Sequence, residues 1–105
     1  METFSKKRIS IIVEESFFRD VLDLVEESGA SGFTTYRGIG GEGEHGTRGT
    51  YNDIDGISNN VEVVTIVGDE VADRILEGVM ALSDRGVILT TYFMNVQVLR
   101  DSRFR

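Results

Sequence analysis

The apolar residues of this chain switch between strand and helix spacing in two successive halves of similar length, and few folds accept that order. "RISIIVEE", residues 8–15, is short, β-branched and apolar and ends in charge, the pattern of a buried strand. From Ser16 the spacing lengthens: Phe17, Val21, Leu24, Val25 and Ser28 recur at three- and four-residue steps, with charged residues between them. This predicts an amphipathic helix with Ser16 as its N-cap and Gly29 at the C′ position. "GFTTYRG", residues 32–38, is aromatic and threonine-rich and reads as a second strand. After a glycine-rich stretch the order repeats. "VEVVTIVG", residues 61–68, is the clearest strand in the chain, and Asp69 caps a helix that buries Val71, Ile75, Leu76, Val79, Met80 and Leu82. "DRG" at 84–86 stops that helix, "VILTTYFMNVQVL" at 87–99 is a last strand with Met94 as core filling, and "RDSRFR" closes the sequence.

Two βαβ halves in this order predict an α+β, ferredoxin-like βαββαβ sandwich: one antiparallel sheet with two helices on one face. The whole chain, 1–105, is expected to form a single domain. The last strand is long for so small a sheet, and an overhanging edge invites pairing with another chain, so association through the sheets is expected.

The formal charge of −7 argues against nonspecific nucleic-acid binding, which needs clustered cations. There is no cysteine, hence no disulfide, thiolate metal site or cysteine nucleophile. "METFSKKRIS" lacks the apolar run of a signal peptide and no stretch has the length of a membrane span, so a cytoplasmic protein is expected.

"RGIGGEGEHGTRGTYNDIDGISNN", residues 37–60, carries seven glycines and cannot contribute a core. A loop of this length in a compact domain has a function or none of its own structure. Its first part, "GIGGEG", lets backbone N–H groups approach an anion closely. Its later part, with Asp53 and Asp55 and only Tyr51, Ile54 and Ile57 as apolar anchors, reads as a mobile arm. The glycines are no dinucleotide fingerprint, because no helical pattern follows them until residue 69. In an acidic chain, arginines in glycine-rich or terminal segments are the natural candidates for phosphate ligands, against the plain alternative of solvated surface charges: Arg37, Arg48, Arg85, Arg100 and Arg103.

The order of elements, "GASGFTT" at 29–35, the long glycine-started loop, "VEVV" at 61–64 and the basic tail together resemble the PII signalling family. The likeness is greatest to its PII-like branch tied to inorganic-carbon uptake, the SbtB and carboxysome-associated proteins. The resemblance implies a homotrimer with adenine-nucleotide sites in the clefts between subunits. It implies that Gly32, Phe33 and Thr34 hold the adenine, with Glu62 and Val64 beside the base. It further implies that Gly38, Gly40, Gly41 and Gly43, at the base of the so-called T-loop, wrap the phosphates. The family's B-loop maps onto Asp84, Arg85, Gly86 and Val87, and its basic tail onto Arg100 and Arg103. The main branch has a lysine where Val87 stands and a G-F-G-R start to the loop, so magnesium-ATP and 2-oxoglutarate are not carried over. The carbon-associated branch has arginines within the loop, with Arg48 as the counterpart here. ADP, AMP and cyclic AMP join ATP as expected ligands, bicarbonate as a second small ligand, and a bicarbonate transporter or another carbon-uptake protein as partner.

Other signals weigh less. Tyr51 stands where some relatives are uridylylated, but "GTYNDI" differs from their surroundings. His45 is the sole histidine and has no second histidine or cysteine to share a metal. Glu14 with Glu15 and Glu26 with Glu27 are adjacent pairs that diverge on a strand or helix, hence solvated charges rather than a catalytic dyad. An enzyme hydrolysing nucleotides would have only Glu42, Glu44, Asp53 and Asp55 to draw on, so no catalytic residues and no resident metal are expected. The rival assignment is a trimeric ferredoxin-like module of the CutA-like kind, binding metal or serving a structural role. The absence of tryptophan, the single histidine and the long loop count against it.

Overall fold

The computed structural model describes residues 1–38 and 60–105, with the backbone alone of 41–43 and 46–48. The elements are β1 (Phe4–Glu14), a 3₁₀ turn (Glu15–Phe17), α1 (Phe18–Glu27), β2 (Thr34–Arg37), β3 (Gly41–Gly43), β4 (Gly46–Arg48), β5 (Asn60–Val67), α2 (Asp69–Asp84), β6 (Leu89–Val98) and a 3₁₀ turn (Asp101–Arg103). The main sheet runs β2-β5-β1-β6 with antiparallel neighbours, and β3 pairs with β4 as a separate hairpin. This is the ferredoxin-like arrangement, with β1 and β5 at the centre.

Register decides which side chains meet the helices. Ile11 lies opposite Val63 on one side and Thr91 on the other. Alternation then puts Ile9, Ile11 and Val13 with Val63 and Val67 on the covered face. They join Val21, Leu22 and Val25 of α1 and Val71, Ala72, Ile75, Val79 and Leu82 of α2 in one core. The helices approach closely at Gly78, where a Cβ would stand 2.1 Å from a Leu24 methyl carbon.

Both helices end alike. Gly29 N–H donates to Glu26 O (3.1 Å) and Ala30 N–H to Val25 O (3.3 Å); Gly86 N–H donates to Ser83 O (3.0 Å) and Val87 N–H to Leu82 O (3.1 Å). These are paired Schellman caps, and the glycines sit at φ 105° and 99°, where a Cβ is penalised.

Several boundaries differ from expectation. β1 begins at Phe4 rather than residue 8, because Lys6 and Lys7 bridge outward to Asp101 and Asp69 while their backbones pair with β6. Ser16 is not a helix cap: the chain leaves β1 through a 3₁₀ turn, and Phe17 holds the N-cap position of α1 without a side-chain bond. Gly68, not Asp69, is the N-cap of α2, and Asp69 with Glu70 supplies acid in the first turn, where the helix dipole favours it. Met80, expected inside, is 60 % exposed on the rim of α2, and Met94 is 46 % exposed on the sheet face away from the helices. That face also carries Tyr36 and Tyr92, both exposed, so the subunit alone leaves an apolar sheet surface uncovered.

Candidate functional site

Where β2 begins and the tail ends, the chain encloses a cleft of about 250 Å³. Ser31, Gly32, Phe33 and Thr34 form one wall, Val64, Thr65 and Ile66 of β5 the floor, and Arg103 with Phe104 the far wall. The β2–β5 ladder stops at the Thr34–Val64 pair, so residues 31–33 lie beyond the sheet's own hydrogen bonds. Side chains hold them instead. Thr65 Oγ1 donates to Gly32 O (2.7 Å), and Ser31 Oγ donates to Arg103 O (2.7 Å). The tail is fixed twice more, by the Lys6–Asp101 ion pair (2.7 Å) and by Gly68 N–H donating to Arg105 O (3.2 Å).

The chemistry of this cleft is mixed. Val64 and Ile66 give an apolar floor, and Phe33, 42 % exposed, offers a ring face, which suits a flat heterocycle. At the tail, Arg103 has no ion-pair partner among the described residues, leaving its guanidinium for an anion.

Of the residues expected to bind ligand, Gly32, Phe33, Thr34, Val64 and Arg103 therefore come together. Glu62 lies one alternation step from Val64 on the open sheet face, outside the cleft lining, and accepts a 2.5 Å bond from the buried Ser10 hydroxyl. Arg100 is exposed at the start of the tail turn and does not line the cleft. Gly38 and the 84–87 segment lie at the opposite end of the sheet. Gly38, at φ 76°, donates its N–H to Asn60 O (3.2 Å), closing the loop root. Arg85 and Gly86 belong to the Schellman cap of α2, and Val87 packs against the core. Arg85 borders a separate groove with Asp20, Asp23 and Glu27. β5 spans residues 60–67 between the two ends, about 23 Å at the usual rise per residue. The expected ligand residues thus fall into two groups at opposite ends of one subunit.

Gly41, Gly43 and Arg48 belong to the β3–β4 hairpin, described as backbone only. Gly40, His45, Tyr51, Asp53 and Asp55 lie outside the described residues. Arg37 is engaged already, paired with Glu15 and stacked 4.7 Å from the Phe18 ring centroid. Among the described residues no three His, Cys, Asp or Glu side chains are grouped to hold a metal, and no helix is long and apolar enough to cross a membrane. Sequence reasoning missed Ser31, Thr65 and Phe104. Ser31 and Thr65 flank expected ligands, but nothing in the order of residues reveals that they close bonds across 72 and 33 positions.

The fold and the cleft define a ferredoxin-like domain with a ligand-sized hollow at one end of its sheet, and comparison with known proteins identifies its family. Residues 6–103 match the family model for nitrogen regulatory protein P-II. The chain belongs to the PII family, whose members are signalling proteins rather than enzymes, form trimers and bind adenine nucleotides. Among solved structures it is similar to CPII, a PII-like protein from Thiomonas intermedia K12 bound to ADP, AMP and bicarbonate, with TM-score 0.89 and 22% identity over 99% of this chain and 97% of that one. CPII bound to ADP and bicarbonate gives TM-score 0.87 and 23% identity over 99% and 98%. A PII-like signalling protein from Thermus thermophilus gives TM-score 0.78 and 26% identity over 100% of both chains. No protein of curated function matches the chain.

Proposed function

We propose that the chain is a homotrimeric sensor of adenine nucleotides, ADP and AMP first among them, that reports on inorganic-carbon supply. The observation that carries this reading is the division of the expected ligand residues. Gly32, Phe33, Thr34, Val64 and Arg103 gather at one end of the sheet, while the glycine-rich loop root and the 84–87 segment lie at the other. A neighbouring subunit that brings its loop end to this cleft completes a pocket with a ring-binding floor, close backbone donors and arginine. The nucleotide then bridges two chains, and its presence sets the state of the loop between residues 37 and 60. Such a switch works through the difference in ligand affinity between loop states. The binding of ADP, AMP and bicarbonate by CPII supports ADP and AMP as ligands and bicarbonate as their companion. The listening partner is a bicarbonate transporter or another carbon-uptake protein, contacted through the loop arm.

Isothermal titration of the purified protein with AMP, ADP, ATP and cyclic AMP, each with and without bicarbonate, tests this. Micromolar binding of an adenine nucleotide, with affinity changed by bicarbonate, is the expected result. Absence of heat and of any thermal shift with all four removes the nucleotide site.

A further inference from the structure

We propose that Thr65 is a positioning residue for the cleft: its buried hydroxyl anchors the Gly32 carbonyl to β5, and so fixes the Gly32–Thr34 segment that forms one wall of the cleft. The inference rests on the nucleotide reading above and adds to it a residue outside the expected binding set.

Thr65 is 2 % exposed, with its backbone opposite Ile9 in the core register. A threonine there, where the neighbouring strand positions are valine and isoleucine, buries a hydroxyl that must be satisfied. Its partner is the Gly32 carbonyl at 2.7 Å, just past the last β2–β5 pair. That bond ties a segment which has left the sheet's own ladder to the strand that floors the cleft, and so sets where the Phe33 ring stands beside that floor. Ser31 reinforces the same segment from the other side through the Arg103 carbonyl. Without the Thr65 hydroxyl the segment keeps only that exposed link, and this wall of the cleft must be ordered when the ligand binds.

The test compares wild-type protein with Thr65→Val and Thr65→Ser, measuring ADP affinity by titration and amide exchange at residues 32–34 without ligand. Valine keeps the volume and removes the donor; serine restores the donor. Thr65→Val is expected to bind ADP about tenfold more weakly, the worth of one net hydrogen bond, and to exchange faster at Thr34, the last paired residue of the β2–β5 ladder. Thr65→Ser is expected to recover most of both, with all three proteins showing cooperative melts. Wild-type binding left unchanged by Thr65→Val overturns the role of Thr65 alone. A wild-type protein that binds no ADP overturns the nucleotide reading and this role together.

Discussion

Arg103 is the residue on which ligand charge would act most directly. Its backbone is held by Ser31, its turn by Lys6 and Asp101, and its guanidinium has no carboxylate partner among the described residues. Charge-assisted bonds to phosphate contribute about 1.5–3 kcal/mol each, so Arg103→Ala should weaken ADP binding roughly ten- to hundredfold in a titration and leave the melting temperature nearly unchanged. Gly29→Ala tests a different requirement. At φ 105° alanine is strained, and a loss of about 1–2 kcal/mol lowers the melting temperature by several degrees without touching the cleft. The first substitution moves affinity and the second moves stability.

At the scale of elements, the four strands of the main sheet and both helices are legible in the sequence, most cleanly β5, whose valines alternate through 61 and 63 into the core, whereas β3 and β4 fall in the glycine-rich stretch that reads as a loop. The helix stops are legible too, since Gly29 and Gly86 follow amphipathic runs and both form the cap their position suggests. What misleads is local chemistry. Lys6 and Lys7 read as lying ahead of the first strand, yet a strand carries them readily when their ammonium groups reach carboxylates beyond the sheet. Ser16 reads as a cap because serine there precedes a helical spacing, but Phe17 and Phe18 pack against the core and the chain turns in 3₁₀ geometry first. Of the site, the Gly32-Phe33-Thr34 segment and Arg103 are legible by resemblance, whereas the Thr65 and Ser31 bonds arise only when distant segments meet. Below the loop the sheet is already closed by Arg37 opposite Val61 and by Gly38 N–H on Asn60 O. Replacing 39–59 with a short turn should therefore preserve the cooperative melt while lowering nucleotide affinity, which calorimetry and titration read separately.

For the whole molecule, the face of the sheet away from the helices sets the requirement. Tyr36, Tyr92 and Met94 lie exposed on it, beside the Ser10–Glu62 bond, and covering such a surface is what assembly achieves. Met94→Glu should convert a trimer into monomers in light scattering, because a lone carboxylate does not enter an apolar interface. Association and ligand binding then become one problem, since each subunit holds the two groups of residues proposed to bind ligand at opposite ends of its sheet. The most direct measurement co-expresses two inactive partners, Arg103→Glu and the chain lacking 39–59, and titrates the mixed trimers with ADP. Sites shared between subunits predict that neither parent binds with native affinity and that the mixture regains native-affinity binding at a fraction of its sites. Mixed trimers as inactive as both parents would contradict a shared site.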